Sequence, residues 1–210
     1  MIVIGTTSND AAWDYFGAAQ ASGLDFVCWG SPGDPFHWMR SDNDAGGRLA
    51  AEHLIATGHR RPAFIGPADS AQRQFDERRE GFSAALAAHG IDPVVWAAAP
   101  AADRHAQGVA AAHALLAAHP DTYAIFAASD MLALGVLQGL KEIGRRVPED
   151  VALIGFDGIR AGTLADPALT TLEPDLEAAG EALVAMALED DEHVRDGTRV
   201  PVRLAVRGSA

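Results

Sequence analysis

Two strand ends carry the residues of this chain best suited to chemistry. The apolar run 124–128 stops at Ser129-Asp130, and the run 151–156 stops at Asp157. A hydroxyl and two carboxylates thereby stand where open α/β sheets bind ligands, at the carboxyl ends of parallel strands. A carboxylate offers about four lone-pair sites, which suits a polyol, and a serine hydroxyl both donates and accepts. The competing use of such groups is capping. Ser129 and Asp130 precede a helical stripe and either can cap it; a carboxylate suits a helix N-terminus, which makes Asp130 the expected cap, while Ser129 fits a cap and a ligand contact alike. Other chemistries lack their signatures: there is no Gly-x-Gly-x-x-Gly, no phosphate loop and no Gly-x-Ser-x-Gly elbow. No two of the eight histidines stand at i, i+4, so the spacing predicts neither a metal site nor a cofactor. An enzyme is not expected.

The elements that must hold these residues alternate. Short apolar runs at 2–4, 25–29, 62–65, 93–96, 123–127 and 151–155 read as buried parallel strands. Between them, 45–57, 77–89, 107–118 and 130–143 carry helical stripes, and 175–188 carries a last one. A final strand is expected at 200–206. This alternation predicts parallel sheets with helices on both faces. The segment 158–173 breaks the rhythm and reads as a crossover between lobes.

Bulk properties narrow the partners. With 210 residues, 49% hydrophobic and 21% charged, the chain is globular and long enough for one large domain or two lobes. A formal net charge of -13 argues against nucleic-acid or anionic-membrane binding by these residues alone. No apolar run approaches the length of a membrane span. Met1-Ile-Val-Ile has no basic region before it and reads as a strand, not a signal peptide. Cys28, the lone cysteine, fits a cytoplasmic setting and reads as a small buried hydrophobe. The run Glu189-Asp-Asp-Glu192 reads as a solvated helix end.

Six motifs follow in order: Leu54-Ile-Ala-Thr-Gly58-His59-Arg60-Arg61-Pro-Ala-Phe-Ile65-Gly66, Arg78-Arg-Glu-Gly81-Phe82, Ser129-Asp130-Met-Leu-Ala-Leu-Gly135, Val147-Pro148-Glu-Asp150-Val, Gly155-Phe-Asp157 and Leu169-Thr170-Thr171. Together they resemble the LacI/GalR (lactose-repressor) family of bacterial regulators. The resemblance implies a fold of the periplasmic-binding-protein-like type I, with two doubly wound parallel-sheet lobes and crossovers. It places 1–45 in a partial N-terminal lobe, 46–157 in the C-terminal lobe, 158–190 in a return to the first, and 191–210 in a final segment and strand of the second. It implies a sugar-type effector, usually a homodimer, and lobe closure that controls operator DNA through a helix-turn-helix headpiece. The headpiece and the start of the N-terminal lobe are not in this sequence. The chain is accordingly expected to be a fragment, a mis-called start or a shortened form. The alternatives are a free-standing sugar-binding protein of related fold and, lower, an enzyme on a doubly wound sheet.

The resemblance also assigns residues. Asp157 matches the family carboxylate that accepts hydrogen bonds from ligand hydroxyls. Arg78 matches the family arginine, whose planar fork suits vicinal hydroxyls or a carboxylate. Ser129 stands where relatives place a polar ligand contact. Gln74, with Gln72 and Arg73, lies in the approach to Arg78. Asp103 falls near the position of an aromatic that stacks on sugar rings, a departure that fits a more polar or cationic ligand or, more simply, a solvated loop. Trp29, His37 and Trp38 surround the loop 32–35 and read as loop packing. Met131, Leu134 and Leu137 form a second apolar stripe at the implied dimer contact; a helix buried on both faces would show the same stripe.

Overall fold

The computed structural model describes residues 2–4, 10–24, 27–30, 37–68, 73–188 and 197–210. Its elements are β1 (Ile2–Ile4), α1 (Asp10–Ala21), β2 (Val27–Trp29), β3 (His37–Ser41), α2 (Asn43–Ala56), β4 (Pro62–Pro67), α3 (Arg73–Ala87), β5 (Val94–Ala98), α4 (Arg104–Ala118), β6 (Ala124–Ala127), α5 (Asp130–Glu142), β7 (Ala152–Phe156), α6 (Arg160–Thr163), β8 (Thr170–Pro174), α7 (Leu176–Leu188), β9 (Thr198–Val200) and β10 (Val202–Ala205). Gln72, the loop 32–35 and the acidic run 189–192 lie outside the described residues. No helix among those described is long and apolar enough to cross a membrane.

The chain divides into two units. The first holds residues 1–42, 71–74 and 174–201; the second holds 43–70, 75–173 and 202–210. In the first, a parallel sheet of order β1-β2-β3-β9 has a small core of Val27, Met39, Ala179, Leu183 and Val200. Cys28 is buried and its thiol is pushed up to about 11 by burial, consistent with the hydrophobe reading. Trp38 packs as expected of a structural aromatic: the Arg40 guanidinium lies 4.0 Å over its ring, and Gly197 leaves no room for a side chain against it.

The second unit positions the strand-end residues. Its sheet runs β10-β8-β7-β6-β4-β5. β6 and β7 are buried along their whole length, which is why both read as unbroken apolar runs. Edge strand β5 alternates instead. Phe64, Phe82 and Phe126 form the aromatic heart of this core, with ring centroids 5.2–6.3 Å apart. After β4 the chain goes to β5 on one side and then returns to β6 on the other. The topological switch point therefore lies between β4 and β6, where doubly wound sheets bind ligands.

Two expectations are corrected here. Residues 158–173 are not a crossover: β8 pairs in parallel with β7, Ile154 opposite Thr170 and Gly155 opposite Thr171, so the return to the first unit begins at 174. The single final strand is two. β9 pairs with β3 in the first unit, and β10 edges the second sheet, with Pro201 between them.

Candidate functional site

Arg78 is the centre of the site. It follows β4 on α3, yet it is only 4% exposed. Its Nε donates to Asn43 Oδ1 at 2.9 Å, its Nη1 donates to the carbonyl of Ala128, and its Nη2 lies 3.3 Å from Asp157 Oδ1. The guanidinium carbon sits 3.5 Å from the Phe156 ring centroid, a stacked cation–π contact. Ala128 also donates its own N–H to Ile65 O, so Arg78 extends the β4–β6 pairing one group past the last strand residue. The arginine thus closes the switch point itself. Burial pulls its pKa down, while Asp157, Asp130 and Glu77 hold it up.

Glycines set these distances. On α2, a Cβ at Gly47 would lie 2.2 Å from Arg78 O; on α3, one at Gly81 would lie 2.1 Å from Asp44 O. The two backbones touch, and this contact brings Asn43, at the start of α2, against Arg78. Asn43 is 1% exposed and donates to Glu77 Oε2 at 3.1 Å. Gly46 faces the Phe156 ring, where a Cβ would come within 2.5 Å. Sequence reading passed over Asn43 and Glu77. The signal was present in the Gly46-Gly47 pair inside a helix, which costs about 1 kcal/mol per glycine against alanine and so implies a packing reason.

Asp157 is the open half of the pair, its side chain 40% exposed against 5% for that of Arg78. It is also the one described non-glycine residue with positive φ, at 121°. Such a backbone costs on the order of 1–3 kcal/mol and persists where surrounding contacts fix it. Here its N–H donates to Leu172 O at 2.9 Å. The loop beyond it is held by Asp130, which is fully buried and accepts from Ile159 N at 2.8 Å and from Thr171 Oγ1 at 2.6 Å. Gly155 makes room for that carboxylate, since a Cβ there would stand 2.2 Å from Asp130 Oδ1. Each member of Gly155-Phe156-Asp157 therefore has a separate task. The expectation for Asp130 is corrected: Ser129 is the N-cap of α5, accepting from Leu132 N at 3.4 Å, and Asp130 ties α5 to β7 and β8.

Burial first, and then Asp130, push the Asp157 carboxyl up to about 6, against the downward pull of Arg78. In an unfolded chain the same group titrates near 3.9. Between those values the folded state keeps a proton that the unfolded state loses. This group's contribution to stability is therefore complete below about 3.9 and lost as pH rises through about 6. Paired denaturant titrations should show the stability of wild type relative to Asp157→Asn falling from pH 4.5 to pH 7. A relative stability that rises over that window contradicts the assignment.

The other expected site residues separate. Ser129 is 9% exposed beside Asp130. Gln74 is half-buried in the first turn of α3, one turn before Arg78. Asp103 caps α4, its Oδ1 accepting from Ala106 N at 2.8 Å. On α5, Met131 is 44% exposed and Leu134 half-buried, but Leu137 is 4% exposed and packs in the core; it is not part of an open stripe. Among the described residues no cluster of His, Cys, Asp or Glu is placed to hold a metal.

Residues 51–210 match the profile of the periplasmic binding protein-like domain. The HTH-type transcriptional regulator CelR of Thermobifida fusca is 36% identical over 178 residues, covering 84% of this chain and 51% of that protein. Among solved structures, a transcriptional regulator CelR–cellobiose complex has a TM-score of 0.83 at 29% identity, covering 100% of this chain and 65% of that one. A LacI family transcriptional regulator from Enterococcus faecium with bound ribose has a TM-score of 0.85 at 26% identity, covering 99% and 78%. The chain spans about half the length of the curated relatives it matches.

Proposed function

The chain belongs to the LacI/GalR family, within its periplasmic binding protein-like domain, and we propose that it is the effector-sensing portion of a transcription regulator whose ligand is a carbohydrate. The Arg78–Asp157 pair carries this reading. A buried guanidinium holds an open carboxylate at the switch point of a doubly wound sheet, and that carboxylate presents acceptors to ligand hydroxyls. Similar proteins described with bound cellobiose and ribose support a sugar. Effector binding and operator binding would be coupled in the intact, cytoplasmic protein, with the DNA contacts outside these 210 residues. Binding, not turnover, is the work of the site. A second copy would pack against α5 around Met131.

Thermal melting of the 210-residue chain against mono- and disaccharides tests this. A true effector at a hundredfold excess over its Kd should stabilise the fold by about 2.7 kcal/mol. Asp157→Asn should lose that shift while remaining folded. Sedimentation should show a two-chain particle that Met131→Glu separates. Consumption of a sugar at a rate abolished by Asp157→Asn would overturn the binding reading. A helix-turn-helix encoded in frame upstream supports a regulator; a secretion signal there supports a free-standing receptor.

A further inference from the structure

The two hydroxyls of Thr170-Thr171 lead to different places. Successive side chains of a strand point to opposite faces of its sheet, and on β8 both threonines are 0% exposed. Thr170 serves the end of the chain: its Oγ1 accepts from Arg207 N at 2.9 Å, and its N–H donates to Ser209 Oγ at 2.8 Å. Thr171 faces α5, where its Oγ1 donates to Asp130 Oδ1 at 2.6 Å.

Three successive residues of β8 hold the turn that carries Asp157. Leu172 O accepts from Asp157 N at 2.9 Å. The Glu173 side chain packs against Gly158, which has φ 71° and where a Cβ would stand 2.6 Å from Glu173 Cγ. Thr171 reaches Ile159 through Asp130, whose Oδ2 accepts from Ile159 N at 2.8 Å. The first contact is made by backbone, and any residue would supply it. In the second, the Glu173 carboxylate is engaged by Arg203 and Arg207. The third depends on a single side-chain atom, the hydroxyl proton of Thr171.

That proton matters because Asp130 is 0% exposed, and a buried carboxylate keeps its charge and its aim only while donors satisfy it. Burial pushes its carboxyl up, and the Thr171 hydroxyl is the foremost of the hydrogen bonds that hold it down. At 2.6 Å the bond has the length of a charge-assisted O–H···O contact, roughly twice as strong as a neutral one. With Oδ1 fixed by Thr171, Oδ2 is directed at Ile159 N. Asp157, two residues earlier, holds a φ of 121° that persists only where its surroundings fix it.

We propose that Thr171 is a positioning residue of the effector site, its hydroxyl acting through Asp130 to fix the turn from which Asp157 presents its carboxylate. The proposal rests on the sugar-sensing reading of Asp157 and deepens it.

Calorimetric titration of the 210-residue chain with cellobiose and with D-ribose, beside amide hydrogen exchange of the ligand-free chain, tests this. Thr171→Val replaces the hydroxyl by a methyl of similar size. It should weaken sugar binding by about tenfold or more, the scale of one lost hydrogen bond to a charged group, and should speed exchange at Ile159 N by a like factor. Thr171→Ala sets no methyl against Asp130 and should do the same if the valine chain fails to fold. Thr171→Ser restores the donor and should restore both readouts. Thr170→Val controls for a merely structural threonine: it should lower stability in urea yet leave affinity and Ile159 exchange unchanged. Wild-type affinity in Thr171→Val overturns the proposal and leaves sugar sensing intact. So does a serine variant that rescues nothing, or a Thr170→Val chain that loses affinity to the same degree. If neither sugar binds wild type, the carbohydrate reading fails instead; Ile159 exchange then judges the positioning, and equal rates in Thr171→Val and wild type overturn it.

Discussion

Replacing Arg78 by methionine should destabilise the second unit by about 2–6 kcal/mol, the cost of leaving two buried acceptors without a donor, and should abolish effector binding. Methionine keeps an unbranched apolar stem, so little packing is lost. What is lost is the fork. Asn43 Oδ1 and the Ala128 carbonyl are left as buried acceptors without a donor, each costing about 1–3 kcal/mol. Asp157 is left facing the buried Asp130 carboxylate with no cation between them. Arg78→Lys should rescue little, because one ammonium cannot reach a side-chain amide, a backbone carbonyl and a carboxylate from one position. Adding Asp157→Asn to Arg78→Met should recover part of the loss, since the unpaired charge disappears, and the cycle should give a coupling of about 0.5–3 kcal/mol. Urea denaturation of the four proteins measures all of this. An Arg78→Met chain as stable as wild type would show that the pair is an accident of surface charge.

That network also explains which parts of the site were legible in the sequence. Arg78 and Gly81 stand three apart because one holds the switch point and the other lets α3 touch α2. Phe82 follows because the next position faces Phe64 and Phe126. Such spacing survives in a linear motif because all three tasks fall on one helix. Asp130 was misjudged because its partners, Ile159 N and Thr171 Oγ1, come from 29 and 41 residues away, and nothing local distinguishes that carboxylate from an ordinary cap. Asn43 was missed for the same reason; its partner on α3 is 35 residues distant. Asp103 shows a cap that the sequence did not announce: its Oδ1 accepts from Ala106 N of the helix it precedes.

The fold shows the same division. Central strands β4, β6 and β7 were read within a residue or two, because burial on both faces leaves an unbroken apolar run. Helix α5 was predicted over 130–143 and spans Asp130–Glu142, its start fixed by Ser129 and its end by Gly144 at φ 72°. β3 and β8 were not read as strands. His37-Trp-Met-Arg-Ser41 has neither an apolar run nor a strict alternation, and Thr170-Thr-Leu-Glu-Pro174 is polar at both ends. β8 is buried nonetheless, because the Ser209 hydroxyl accepts from Thr170 N at 2.8 Å and Thr171 serves Asp130. Polar groups satisfied by distant partners make a strand that no local pattern announces.

The glycines at the helix crossings give the sharpest contrast available in this chain. Gly81→Ala should destabilise it by about 3 kcal/mol or more, the upper end of overpacking costs, or prevent folding. The added methyl would stand 2.1 Å from Asp44 O and 2.9 Å from the carbonyl carbon, both backbone atoms that cannot rotate away. α2 and α3 would have to part, and the 2.9 Å bond from Arg78 to Asn43 would lengthen with them, so effector affinity should fall in whatever fraction still folds. Gly135→Ala should behave alike at the α4–α5 crossing, where the methyl meets His105 O at 2.0 Å. Gly180→Ala should do the reverse. That glycine is exposed inside α7 with no atom within 4 Å of its would-be Cβ, so alanine should stabilise by about 0.5–1 kcal/mol through helix propensity alone. One methyl group, added at three helical glycines, is thus expected to cost heavily twice and to help once. Melting curves of the three variants separate this from a generic glycine effect, which would move all three in the same direction.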